Sequence, residues 1–253
     1  MNSPKLSILV VAHNEEENLP DCLARLGFAD QLVVVLDRCT DRSREIALAA
    51  GAKLVEGAWP LEGPRRNAGI AGCDGAWILE VDADERVPQA LAGEVALAIQ
   101  SAEPGYFLIK FDNYIGGRLV RYGWGAYNGA SAGPRLFSKG AKIWGDQLIH
   151  PRIELTGRRR RLNTPIDHYV DRDISDLIRR FDRYTSARAR DLCASGEMGS
   201  LAGNIRRIFS RFWKSYVTRR GYREGLYGVL LALFSAAYPL VSYIRARLEG
   251  TGR

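Results

Sequence analysis

The sequence is sparing with cysteine and with the patterns that cysteine builds. Its four cysteines, Cys22, Cys39, Cys73 and Cys193, stand far apart and form no CxxC pair. A zinc site and a disulfide framework both lack support, and a reducing compartment is expected. The opening segment does not read as a signal peptide either. The first apolar run lasts only about half a dozen residues before the acids of "NEEEN" interrupt it, so the bulk of the chain is expected on the cytoplasmic side. There is no internal repeat and no low-complexity tract. Hydrophobic content of 46% and charged content of 26% exclude bulk disorder. A chain of 253 residues can bury a full core, as one large domain or a domain with an appendage. What is present in excess is positive charge. The net charge is +7, from 36 basic and 29 acidic residues, which favours an anionic partner: nucleotide phosphates, anionic lipid or nucleic acid.

Short apolar runs alternate with helical spacing in the first third. "KLSILVVA" (5–12), "QLVVVLD" (31–37), "AKLVEG" (52–57) and "AWILEVD" (76–82) read as buried strands. Between them, "EEENLPDCLARL" places Leu19, Cys22, Leu23 and Leu26 on one helical face, and "CTDRSREIALAAG" predicts a helix capped by Thr40 or Asp41. "PRRNAGIAGC" predicts a third helix. This alternation argues for an α/β fold with a mostly parallel sheet flanked by helices, in which ligands bind at the carboxyl ends of the strands. After residue 104, "GYFLIKFDNYIGG", "GPRLFSKGAKIWG" and "RIELTGRRRRLN" read as extended segments joined by glycine-rich turns. Residues 173–195 predict a polar helix with Leu177, Phe181 and Tyr184 on one side. The expected division is 1–172 (halves 1–104 and 105–172) and a helical region, 173–253.

Four polar stretches converge at the predicted strand ends: "AHNEE" (12–16), "LDRCTDRS" (36–43), "GPRRNAG" (63–69) and "VDADE" (81–85). Together they supply what a nucleoside diphosphate needs. An Asp can accept from a uracil ring or a ribose hydroxyl, and an Arg pairs with phosphate through two donors. Carboxylates hold Mg2+ or Mn2+, hard cations that prefer oxygen. Arg65 is the phosphate candidate and Asn67 its support. Asp-x-Asp alone is a weak signal, since acids also gather at helix N-termini, and "ERVPQALAGEVALAI" predicts a helix directly after it. An EF-hand is excluded, because Val87 stands where its glycine belongs and Gly93 where its last carboxylate belongs. A nucleotidyltransferase would be expected to carry a glycine-rich basic loop after the first strand, and "AHNEEENLP" has neither glycine nor Lys or Arg.

The motifs "LSILVVAHNEEENLPDCL", "VVVLDRCTDRSREIA", "GAKLVEGAWPLEGPRRNAG", "GAWILEVDADERV", "PRLFSKGAKIWG", "DHYV" and the tail "YVTRRGYREGLYGVLLALFSAAYPLVSYI" resemble those of a GT-A fold, inverting family 2 glycosyltransferase. Within that family the chain is similar to the lipopolysaccharide core β-1,4-glucosyltransferase type. The resemblance implies that Asn14 and Glu15 touch the nucleoside, that Asp37 contacts uracil, and that Asp82 and Asp84 form a metal pair. Asp84 is then the direct ligand, with Asp82 nearer the ribose. It also implies a nucleotide-sugar donor, UDP above all, a divalent metal, and a lipid-linked or saccharide acceptor. Inverting transfer needs a carboxylate to deprotonate the acceptor hydroxyl. Related enzymes often carry His-Glu after the strand matching "GAKIWG", whereas this chain has His150-Pro151, which leaves Asp146 as the base candidate and Glu154 as the second. Asp146 can equally be a turn residue after Gly145. His150 is either a metal or acceptor contact or a structural histidine. His168-Tyr169 matches the family's His-Tyr.

The C-terminal fifth has its own pattern. Ile205, Ile208, Phe209, Phe212, Trp213, Tyr216 and Val217 follow helical spacing, with Arg206, Arg207, Arg211 and Lys214 between them and Arg219, Arg220 and Arg223 after them. This is the pattern of an interfacial helix on an anionic membrane surface. Residues 225–244 carry no charge and are long enough to span a bilayer, although Gly228, Ser235, Pro239 and Ser242 dilute them. Peripheral or re-entrant attachment to the cytoplasmic face of the inner membrane is expected ahead of a full span, with two soluble core helices as the alternative. "RRRR" (158–161) is either a contact for a phosphorylated acceptor or anionic lipid, or a solvated hairpin tip. Nucleic acid is disfavoured, since the aromatics form no stacking platform. The functional alternatives are transfer to polyprenyl phosphate and, further off, a nucleotidyltransferase or a non-catalytic membrane adaptor.

Overall fold

The computed structural model describes residues 5–125, 131–147 and 151–249. The chain divides into two compact units, Met1–Phe111 with Ala132–Tyr169, and Asp112–Ser131 with Val170–Arg253.

In the first unit, β1 (Leu6–Ala12), α1 (Leu19–Leu23), β2 (Gln31–Asp37), α2 (Ser43–Ala49), β3 (Lys53–Gly57), α3 (Glu62–Gly72) and β4 (Trp77–Asp82) follow in order. The strands lie parallel as β3-β2-β1-β4, with Val10 beside both Val34 and Val81. Both faces of this half-sheet are covered, which is why its strands read as unbroken apolar runs. Leu19, Cys22, Leu23 and Leu26 are all buried on one side, as their spacing predicts. The register sets Ala12 opposite Leu36 and Val11 opposite Asp82, so β1, β2 and β4 finish at one edge.

Beyond β4 the sheet changes character. A two-residue strand, β5 (Glu85–Arg86), and then α4 (Gln89–Ser101) and β6 (Gly105–Ile115) follow, the last pairing at its outer end with β7 (Arg118–Val120). β8 (Ala132–Ser138) runs antiparallel to both β4 and β6, so the sheet is mixed. The strand–helix alternation stops at residue 101. Among the described residues no helix intervenes between β6 and β8, and the chain returns antiparallel. A separate hairpin joins β9 (Lys142–Trp144) to β10 (Ile153–Leu155). The four arginines form β11 (Arg158–Arg161), parallel to β6, instead of a hairpin tip, and Arg158 and Arg160 reach Glu103. β12 (Ile166–Asp171) pairs antiparallel with β5, His168 opposite Glu85. α4 begins only at Gln89, so Asp82 and Asp84 do not stand at its N-terminus.

The second unit holds three long helices: α5 (Ile174–Ser195), α6 (Leu201–Trp213) and α7 (Leu226–Leu248). It also takes in the β6–β7 turn, which a boundary at residue 172 would leave with the sheet. The reason is apolar: Ile115, Val120 and Trp124 share a core with Leu177 and Leu231. Asp173 caps α5 by accepting from the Asp176 N–H at 2.7 Å. The buried face of α5 carries Leu177, Arg180, Thr185, Ala189 and Leu192, while Tyr184 is exposed, contrary to its expected place beside Leu177. Arg180 makes a bidentate pair with Asp171 at 3.0 and 2.8 Å. A π-helical turn (Lys214–Thr218) and a 3-10 turn (Gly221–Glu224) connect α6 to α7. Buried Glu224 accepts the Arg121 and Tyr122 backbone N–H groups. Residues 226–248 form one helix with Pro239 inside it, mean hydropathy 1.6, long and apolar enough to cross a membrane. Its packed face includes Leu231, Ala232, Ser235, Ala236, Tyr238 and Ser242. Phe234 meets Phe181 of α5 at 4.9 Å between ring centres, and Arg245 bonds Asp182 and Ser186. On α6 only part of the expected apolar face turns inward: Ile208 and Phe212 are half-buried, whereas Ile205, Phe209 (73%) and Trp213 (63%) are exposed, continuing from exposed Leu201 at every fourth position.

Candidate active site

At the shared strand edge, Asn14 follows β1 in a left-handed conformation (φ +57), its Oδ1 accepting from the Thr40 N–H at 2.8 Å. Glu15 donates its backbone N–H to Ser43 Oγ and accepts from Asn18 Nδ2. Burial raises its pKa; Asn18 opposes this, and the nearby carboxylates Asp84, Asp41 and Asp82 add to it. Asp37, the last residue of β2, is buried. Its carboxylate accepts from Arg38 Nε and Nη2 (3.0 and 2.9 Å), the Trp59 N–H (3.0 Å) and Arg65 Nη1 (3.1 Å). Burial alone would push its pKa up, but these donors hold it below the ordinary value. Arg65 keeps one buried donor, Nε, without a partner among the described residues. A buried unsatisfied donor costs about 1–3 kcal/mol, so an incoming oxygen would be stabilised there.

Asp82 and Asp84 part company. Asp82 accepts from Arg66 Nη1 at 3.0 Å and from Arg135 Nη2. Burial opposes its charge, yet the Arg135 and Arg66 guanidiniums hold its carboxyl well below the usual range. Arg66 also reaches Glu80 at 2.8 Å, and Glu80 pairs with Lys142. Arg135 also bonds Glu85, whose pKa burial pushes up to about 7 against the pull of Arg135. This largely buried lattice of Arg66, Arg135 and Lys142 with Glu80, Asp82 and Glu85 is not visible in the sequence. Its one local signal was a charge, Glu80, inside an otherwise apolar strand.

Asp84 lies outside the arginine contacts. Its carbonyl accepts the Tyr169 N–H at 2.9 Å, which aligns β12 so that His168 Nε2 comes 3.4 Å from Asp84 Oδ2. Burial lowers the His168 pKa, but the Asp84 carboxylate, with Glu85 and Asp82, raises it overall. A carboxylate oxygen beside an imidazole nitrogen suits Mg2+ or, better, Mn2+. Among the described residues no group of three or more His, Cys, Asp and Glu side chains could hold an ion. An ion here would have two protein ligands and open positions for a substrate's oxygens.

Asn67 lies on α3, two residues after Arg65. Its side chain bonds the backbone of Trp144. Asp146 is exposed at the mouth of the β9–β10 hairpin, and Glu154 is exposed on β10 opposite Ile143. His150 lies outside the described residues. Arg206, Arg207, Arg211, Trp213, Lys214, Arg219 and Arg220 belong to the second unit, on α6 and the turn after it.

Curated relatives include uncharacterized glycosyltransferases of Rickettsia typhi (24% identical, over 92% of this chain and 83% of the relative) and Rickettsia prowazekii (23%, over 92% and 83%). Among solved structures, glucosyl-3-phosphoglycerate synthase from Mycobacterium tuberculosis, in complex with Mn2+, uridine diphosphate and phosphoglyceric acid, is 22% identical with a TM-score of 0.37. The alignment covers 44% of this chain and 43% of that one. The profile of glycosyl transferase family 2 matches residues 7–165, more than half of the chain. With its mixed GT-A-like sheet, this protein belongs to glycosyl transferase family 2 and is a glycosyltransferase.

Proposed function

We propose that the enzyme moves a sugar, with inversion, from a UDP-sugar to a hydroxyl of a lipid-linked saccharide such as a lipopolysaccharide core acceptor. One observation carries the reading. In a crevice where arginines neutralise Asp82, the neighbouring Asp84 is set against His168 at 3.4 Å. Asp84 and His168 would hold a divalent metal, which when bound stabilises the departing diphosphate. Arg65, aligned by Asp37 and with its Nε unsatisfied, pairs with the donor. Asn14 and Glu15 line the nucleoside end, and Asp82 the ribose. Asp146 takes the proton of the acceptor hydroxyl as its oxygen forms the new bond to the anomeric carbon. The bond from that carbon to the diphosphate oxygen breaks, and the diphosphate leaves with the electron pair.

The acceptor class and the cytoplasmic membrane face are supported by the second unit. Basic residues accompany exposed Phe209 and Trp213 on α6, the composition of a helix that lies on anionic lipid. The test is a donor-hydrolysis screen of nucleotide-sugars with Mg2+ or Mn2+. Turnover of a UDP-sugar that Asp84→Ala abolishes is the expected result. Equal turnover by Asp84→Ala would remove the metal assignment, and no turnover of any UDP-sugar would remove the donor.

A further inference from the structure

Helix α3 does more than carry Arg65. The Asn67 side chain donates from Nδ2 to the Trp144 carbonyl at 2.7 Å, and its Oδ1 accepts the Trp144 N–H at 3.0 Å. One side chain thus makes both bonds that a neighbouring strand would make to the last residue of β9. One turn earlier, Gly63 closes on the following residue: a Cβ there would lie 1.7 Å from the Gly145 carbonyl oxygen, so only glycine fits. From the same helix, Arg66 sits 4.8 Å from the centre of the Trp144 ring. All three contacts grip the two residues immediately before Asp146. The far side of the turn is tied as well, since the Gly145 N–H donates to the Arg152 carbonyl at 2.7 Å and Gln147 Oε1 accepts the Arg152 N–H at 2.9 Å. Asp146 itself is exposed and has no side-chain partner among the described residues, so its position is inherited from this backbone.

We propose that Asn67 is a positioning residue: with Gly63 it latches the Trp144–Gln147 turn to the helix bearing Arg65, and so fixes the Asp146 carboxylate relative to the donor. The inference rests on Asp146 being the base. Misplacing a reacting group by about 1 Å can cost about a hundredfold in rate, so the latch acts on turnover and not on donor affinity.

The experiment compares wild type, Asn67→Ala, Asn67→Asp and Asp146→Asn, reading kcat and acceptor KM for transfer, and Kd for UDP with Mn2+ by calorimetry. Asn67→Ala is expected to lose about ten- to a hundredfold in kcat while its UDP affinity stays within about twofold, which also shows that the variant is folded. Asn67→Asp, which keeps the bond from the Trp144 N–H and loses the one to its carbonyl, falls between. Wild-type kcat in Asn67→Ala overturns the latch. A parallel loss of UDP affinity overturns it too and returns Asn67 to the donor site. If Asn67→Ala does not fold, Asn67→Asp decides by the same two readouts. Undiminished activity in Asp146→Asn would remove the base, and with it the route through which Asn67 is said to act. Wild-type protein that binds no UDP removes the donor reading instead, and the latch falls with it.

Discussion

A carboxylate offers about four acceptor directions, and four donors fill those of Asp37. On the proposed reading, with a UDP donor whose uracil ring meets Asp37, the ring finds occupied oxygens. Trp59 donates from the backbone and Arg65 is half-buried, but the Arg38 side chain is 53% exposed and its backbone is held at φ +51, where residues other than glycine are strained. Arg38 is the donor that must give way. Arg38→Ala is expected to tighten UDP binding about three- to tenfold, the worth of one net hydrogen bond, when titrated by calorimetry with Mn2+. Weaker binding would show that Arg38 touches the nucleotide itself. Arg66, Arg135 and Lys142 behave differently. Arg66 and Lys142 are buried and the Arg135 side chain nearly so (11% exposed), each against carboxylates, and removing one leaves a buried charge poorly compensated, at about 3–5 kcal/mol.

At the scale of elements, the start of α5 gives a pH-dependent prediction. Hydrogen bonds from Arg172 and Arg179 push the Asp176 pKa from its ordinary 3.8 down to about 2. A depressed carboxyl stabilises the fold above its unfolded pKa, and that stabilisation is lost as pH falls through the folded one. The window is thus between about 4 and about 2, and both arginines are well exposed, so the effect is at most about 1 kcal/mol. The melting difference between wild type and Asp176→Asn should shrink as the buffer is taken from about pH 6 to about pH 3. A difference constant across that range would rule the pair out as a contributor. What could be read in advance follows the same local logic. "QLVVVLD" and "AWILEVD" are legible because a strand covered on both faces must be apolar throughout. The partners of Glu80 are not legible: Arg66 lies 14 positions away and Lys142 lies 62 away, and only the folded sheet brings them together. His168 meets Asp84 through β12 pairing with β5, a two-residue strand that no periodicity announces. On α6 the apolar spacing was visible, but which half of it turns inward was decided by packing.

For the whole molecule the pattern of charge matters more than its sum. Between Glu197 and Glu224 there is no acid, while Arg206, Arg207, Arg211, Lys214, Arg219, Arg220 and Arg223 accumulate beside exposed Phe209 and Trp213. Each base near an anionic surface contributes about 1 kcal/mol and is screened by salt. Yet α7, the one helix among those described that is long enough to cross, is fastened along α5 through Arg245 to Asp182 and Ser186. α5 exposes Arg183, Arg188 and Arg190, and a helix so charged does not follow α7 into hydrocarbon. The consequence concerns cell fractionation. The protein should sediment with membranes and be released by strong salt or alkaline wash with no detergent, and Phe209→Glu with Trp213→Glu should leave it in the supernatant from the start. Release by detergent alone would mean that α7 leaves α5 and crosses.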